Sequence, residues 1–339
     1  MEEKEKTLKN KDRKKQRKYR LFILLLLLFA TGIMLATSTY AWFTSNKNVS
    51  VETLSVNIAA QNGIQISVDG SNWKAIVQKT DLANAINTYA AAKNQLPSVL
   101  EPVSTGAIAS GGVLPMYYGT IESNTEGNYI LTSSLETDAN GTTGKYIAYD
   151  LFFKVNKDTK IAITSASGVK SSDANDTGIK NASRIAFVKL GNVPDGTAIS
   201  DIQGINSGTD VFVWEPNYDS HTATGIANAR DVYGLMTVAD GDSTVVPYSG
   251  VIAAISAGDN VLLGNATEAK DPAKFKTVTP TYKTKTGNDA NFEIFPLTAG
   301  ITKVRIYMWV EGQDVDCENN ASSGKIDYDL YITTVEDGA

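Results

Sequence analysis

The chain has 339 residues, enough for one large domain or two small ones, and its 42% hydrophobic and 20% charged content excludes a disordered chain. Its net charge of −6 is unevenly spread: residues 1–20 hold ten Lys/Arg and four Asp/Glu, while the rest, with 21 basic and 33 acidic residues, carries −12. So acidic a body excludes nucleic-acid binding, which needs clustered Lys/Arg, and a single Cys (Cys317) and a single His (His221) exclude an intrachain disulfide and a His-rich metal centre.

The first predicted element is apolar. The basic head 1–20 runs directly into an uncharged stretch of sixteen residues, Leu21–Ala36. A positive flank of this kind stays on the cytoplasmic side of a membrane. The run lies between the length of a signal-peptide core and the ~20 residues of a membrane-spanning helix. Thr39 and Ala41 place small residues at −3 and −1 of a cut before Trp42. Residues 21–41 therefore read as a signal peptide with its cleavage site or as a retained single-pass anchor. Both fates put residues 42–339 on the outer side of the membrane, secreted or at the cell surface.

The stretch 37–56, TSTYAWFTSNKNVSVETLSV, resembles the start of TasA/camelysin-type secreted proteins of Gram-positive bacteria. In that family a Thr-aromatic-Ala stretch ends a signal cut by a SipW-type signal peptidase. An aromatic segment then opens the mature chain, and an amphipathic strand follows. Here Thr39-Tyr40-Ala41, Trp42-Phe43-Thr44-Ser45-Asn46 and Val49–Ile58 match that pattern. AAQNGIQISVDGSNW (59–73), YDLFFKV (149–155) and WVEGQDVDC (309–317) are similar to uncharacterised secreted proteins of Firmicutes that share this start. The resemblance implies a surface or biofilm-matrix protein, a signal peptidase as partner, membrane contact during export, and self-association into fibres.

The body reads as β. In the segment 42–58, Val49, Val51, Leu54, Val56 and Ile58 alternate, with a slip near Glu52-Thr53. With Trp42 and Phe43 they form a strand that must pair either with its own sheet or with the next subunit. Ile64, Ile66 and Val68 alternate before the turn Asp69-Gly70. Further strands are predicted at 145–155, 160–166, 184–190, 210–216, 303–312 and 326–335, rich in β-branched and aromatic residues. One helix is predicted within 80–97, near 81–94, with Thr80 or Asp81 as N-cap, Leu82, Ile86 and Tyr89 on one face and Pro97 as the stop. Residues 120–145 and 264–292 read as long surface loops, and 217–245 as a loop with a short helix. The expected fold is an all-β, antiparallel, jelly-roll-like sandwich over 59–339 with one inserted helix, preceded by the N-terminal signal or transmembrane helix.

Catalytic motifs are lacking. His221 sits in the polar stretch YDSHTATG, which predicts an exposed, inert side chain; no Gly-x-Ser-x-Gly, His-Glu-x-x-His or Walker pattern is present. Carboxylates cluster in EGQDVDCE (311–318). There Asp314, Asp316 and Glu318 would share one face of a continued strand and offer oxygens to Ca²⁺; the alternative is a solvated acidic turn. No other cofactor is implied. SDANDTG resembles the first half of an EF-hand loop through Asp173, Asn175 and Gly178, but Arg184 stands where the bidentate Glu belongs. Trp73, Trp214 and Trp309 are either core residues or a sugar-stacking platform. Three functions follow: a structural surface or matrix protein without catalysis, a surface adhesin or glycan-binding module, and, third, a carboxylate hydrolase for which no acid pair is nominated.

Overall fold

A computed structural model describes Arg20 and residues 49–58, 64–85, 88–89, 91–106, 109, 111–123, 129–137, 141–171, 177–231, 238–240, 243–245, 248–256, 258, 273–283, 292–317 and 324–335. The chain divides into two compact units, Met1–Tyr40 and Ala41–Ala339; of the first, only Arg20 is described. The expected cleavage residues Thr39, Ala41 and Trp42, together with Phe43, lie outside the described residues, as do Ile86, Asp173, Asn175 and Glu318. Among the described residues no helix is long and apolar enough to cross a membrane.

Among the described residues nineteen strands follow in chain order. The first nine are β1 (Val49–Ile58), β2 (Gln65–Ser67), β3 (Asn94–Gln95), β4 (Val99–Leu100), β5 (Tyr117–Ser123), β6 (Tyr129–Leu135), β7 (Ile147–Val155), β8 (Thr159–Ile163) and β9 (Gly168–Ser171). Next come β10 (Ser183–Val193), β11 (Asp210–Glu215), β12 (Val238–Asp240), β13 (Ser243–Val245) and β14 (Ser249–Val251). The last are β15 (Phe275–Thr277), β16 (Tyr282–Lys283), β17 (Phe292–Leu297), β18 (Gly300–Val310) and β19 (Lys325–Val335). A six-stranded sheet has the order β17-β8-β19-β1-β4, with β9 also on β19; a seven-stranded sheet has the order β16-β11-β10-β18-β7-β2, with β3 also on β7. The fold is an all-β sandwich built mainly of antiparallel pairs. Two pairings, β1 with β19 and β11 with β16, are parallel, which strand-by-strand patterning does not reveal.

Alternation decides which residues fill the sandwich. Val304, Ile306 and Met308 of β18 and Tyr149, Leu151 and Phe153 of β7 meet Tyr328, Leu330 and Ile332 of β19 in one core. Each such fully buried side chain contributes about 1.5–3 kcal/mol. The other face of the seven-stranded sheet is covered as well: Ala148, Ala186, Val188, Tyr307 and Trp309 pack with Val103, Leu114 and Met116 from the connection before β5. Every residue of β18 is therefore buried, including Lys303 and Arg305. A strand covered on both faces must find partners for any charge it carries.

Several expectations need correction. The helix is short, Lys79–Asn84, with Gln78 as N-cap; Asp81 sits a turn inside and its carboxylate accepts the Gln78 N–H at 3.0 Å. It stops because Asn94 and Gln95 join the β7 ladder and the Asn94 amide donates to Ala85 O. Sheet hydrogen bonds thus override the helix propensity of the alanines. Residues 120–145 are not one loop: β5 and β6 pair over seven positions. The Thr/Asn/Gly content of that region hides the β-forming run Tyr129-Ile130-Leu131. β15 and β16 similarly interrupt 264–292. Residues 217–245 contain the expected helix, Ala223–Asp231, followed by the β12–β13 hairpin. The slip read near Glu52-Thr53 appears as a register shift between Val51 and Thr53. Trp214 and Trp309 are fully buried and offer no sugar platform; Trp73 is partly buried against Phe152, Ile202 and Ile301.

Candidate functional site

The densest chemistry lies where β18 ends. Ser183 and Arg184 of β10 pair with Val310 and Trp309. The chain then turns through Glu311–Cys317, pinned by Glu311 N–H to Ala182 O (2.7 Å) and Gly312 N–H to Val103 O (2.8 Å). All seven residues of this turn are buried. Asp314 and Asp316 thus come together, but in a folded turn and not on one face of a continued strand. Cys317, the last residue of the turn, is buried and forms no disulfide.

Arg184 lies on the outer face of the seven-stranded sheet. Its guanidinium bonds Asp314 Oδ2 at 2.5 Å and Glu215 Oε1 at 2.6 Å, donates to the carbonyls of Asn181 and Ser183, and stacks over Tyr248 at 4.7 Å. Burial disfavours its charge, yet Glu215 and Asp314 outweigh burial and raise its pKa. Glu311 accepts from Trp309 Nε1 and from the Gln313 N–H, both at 3.0 Å. Burial pushes its carboxyl up to about 7, against the opposing hydrogen bonds of Ser104 and Trp309 and the Arg184 charge.

Asp316 is the hub. Its Oδ1 accepts the Thr222 N–H (2.8 Å) and hydroxyl (2.7 Å); its Oδ2 accepts the Asn181 amide (3.3 Å) and lies 2.8 Å from His221 Nδ1. The Asp316 N–H closes onto Asp314 Oδ1 at 2.8 Å. Thr222 also accepts the Gly225 N–H, which caps the helix Ala223–Asp231 over the turn. Two glycines make the approach feasible. Gly178 has φ +85°, and an added Cβ would stand 2.3 Å from Thr222 Cγ2; at Gly225 a Cβ would stand 2.6 Å from Asp316 Oδ1.

His221 is the principal correction. Its side chain is 1% exposed, not the exposed loop histidine that its polar neighbours predict. Burial pushes its pKa down, but the hydrogen bond to Asp316 and the charges of Asp314 and Asp316 win and raise it. The His221, Asp314 and Asp316 ligand atoms lie within 4.8 Å of one another. The two acids nonetheless already accept bonds from Arg184, Thr222, Asn181 and His221, so Ca²⁺ gains their oxygens only by breaking those bonds. Arg184, which spoils the EF-hand pattern, is the cation that neutralises Asp314. On the same sheet face, Asp150 takes Arg305 through two bonds (2.6 and 3.1 Å) and Lys303 at 3.3 Å. Burial lowers the Lys303 pKa, Asp150 opposes that, and Arg305 adds to it.

The comparisons with known proteins return nothing: no protein family, no curated protein and no solved structure matches this chain.

Proposed function

We propose that this protein is exported, acts at the cell surface or in the extracellular matrix, is structural and without catalysis, and joins its copies through the N-terminal strand. The observation that carries the reading is the pairing of β1. It runs parallel to β19 over eight paired positions, from Ser50–Lys325 to Ile58–Ile332, and touches β4 at only two. No turn ties β1 to either neighbour, because both are distant in sequence. The ladder on β19 is a backbone one, which the same strand from another copy would also satisfy. Without β1, the β19 strand KIDYDLYITTV would present a long, β-forming edge, which folded proteins avoid. A head-to-tail exchange of this kind does not close and builds filaments. The resemblance of residues 37–56 to TasA/camelysin-type proteins supports export and processing by a SipW-type peptidase.

Two measurements on protein recovered from its native host test this reading. The intact mass should begin at Trp42, and electron microscopy should show filaments that vanish when residues 42–58 are deleted. A mass that still includes residues 1–41, or globular particles alone, overturns it.

A further inference from the structure

A cleft of 330 Å³ lies between the turn after β2 and the short helix Lys79–Asn84. Asp69, Asn72 and Lys74 line it from the turn, and Asp81, Asn84 and Thr88 from the helix and the residues after it. Val68, Val77 and Ala85 add aliphatic surface. Both sides are fixed by their own bonds. The Asp69 carboxylate accepts the Ser67 hydroxyl, the Ser71 and Asn72 N–H groups (2.8 Å each) and the Asn72 amide (2.6 Å). Lys74 exchanges two backbone bonds of 2.8 Å with Ile66, and its Nζ meets Asp81 Oδ1 at 2.6 Å. A pre-formed site of this kind loses little of its contact energy to rearrangement. The ion pair also keeps capacity to spare, with side chains 48% and 21% exposed. The ammonium has three N–H donors and gives one to Asp81; the Asp81 carboxylate has about four acceptor sites and takes Lys74 and the Gln78 N–H. The exposed Asn84 amide adds a donor and an acceptor.

The chemistry of the lining selects the ligand. Burial raises the Asp69 pKa, yet the bonds from Asn72, Ser71 and Ser67 win and bring it down to about 2; the bond from Lys74 lowers that of Asp81. Two charged carboxylates against one ammonium disfavour an anion. A cation fares no better, because Asp69 Oδ1 already accepts three bonds and Lys74 already neutralises Asp81. A neutral ligand that accepts at one point and donates at the next fits both members of the pair. Neighbouring hydroxyls of a sugar ring do this, while the C–H face of the ring suits the aliphatic groups of Val68, Val77 and Ala85. We propose that this cleft binds one residue of a neutral glycan, with Lys74 donating to one hydroxyl and Asp81 accepting from its neighbour. The lining residues include no aromatic ring, so a single sugar should bind with only about millimolar affinity. The proposal does not depend on the mode of assembly.

The full-length chain, in a detergent without a sugar headgroup, is titrated with the methyl glycosides of glucose, galactose, mannose and N-acetylglucosamine. Saturation-transfer NMR should carry magnetisation from the protein to the ring protons of at least one of them. Lys74→Met should weaken that binding about tenfold or more, and Asn84→Ala about threefold. Both side chains are exposed, so an unchanged melting temperature should accompany each loss. No transfer to any of the four glycosides at concentrations that saturate a millimolar site, equal transfer in wild type and both variants, or loss of transfer on adding CaCl₂ or sodium phosphate would overturn the proposal.

Discussion

Replacing Arg184 with Met tests the buried charge network most sharply. Methionine fills a similar volume but removes the one cation shared by Asp314 and Glu215, whose side chains are 1% and 5% exposed. Breaking one buried pair costs about 3–5 kcal/mol because the surviving charge stays desolvated. Two acids lose this guanidinium here, and the stacking on Tyr248, worth about 1 kcal/mol, is lost too. The upper end, about 5 kcal/mol, is therefore expected. In a body of this size each kcal/mol moves the melting temperature by roughly 2 °C, so calorimetry should show a fall of about 10 °C. The triple variant Arg184→Met, Glu215→Gln, Asp314→Asn removes the charges together and should recover more than half of the loss. An Arg184→Met protein within about 1 kcal/mol of wild type, or a triple variant no better than the single one, would refute the reasoning.

Asp150→Asn should cost a similar ~3–5 kcal/mol in urea unfolding, because Arg305 and Lys303 then face each other without an anion. Gly225→Ala tests close approach. In an open helix this change stabilises by up to ~1 kcal/mol, but here the new Cβ would meet Asp316 Oδ1 at 2.6 Å, so the urea midpoint should fall. Glu311 predicts a pH dependence. Its folded pKa of about 7 lies above the ordinary 4.5, so its stability contribution is complete below pH 4.5 and is lost as pH rises through 7. The swing is on the order of 3 kcal/mol. Denaturation curves at pH 5 and pH 8 should show it in wild type, and Glu311→Gln should flatten it; an unchanged slope in the variant would contradict the assignment.

The sandwich was legible because period-2 patterning survives wherever one face meets the core. Val304, Ile306 and Met308 against Tyr328, Leu330 and Ile332 are examples. The charged site was half legible. In RIAFVKL, Arg184 shares its face with Ala186, Val188 and Leu190, an apolar face that already implies a buried cation in need of acids. Lys303 and Arg305 beside Tyr307 and Trp309 send the same signal. His221 could not be read this way. Its burial depends on a turn 95 residues later in the chain, and no local pattern in YDSHTATG reports that contact. The short helix was misread for a related reason: the pull of β7 on Asn94 and Gln95 is non-local.

Subunit exchange of β1 is tested most directly by cross-linking along its ladder. Ser55 pairs with Asp329, and the native Cys317 is buried and does not compete. Protein carrying Ser55→Cys and Asp329→Cys, recovered from the host surface and oxidised, would be run on a non-reducing gel. Strand addition between copies predicts a ladder of covalent oligomers that collapses on reduction. A single monomer band carrying an internal bridge would show that each chain keeps its own β1 and would contradict the account.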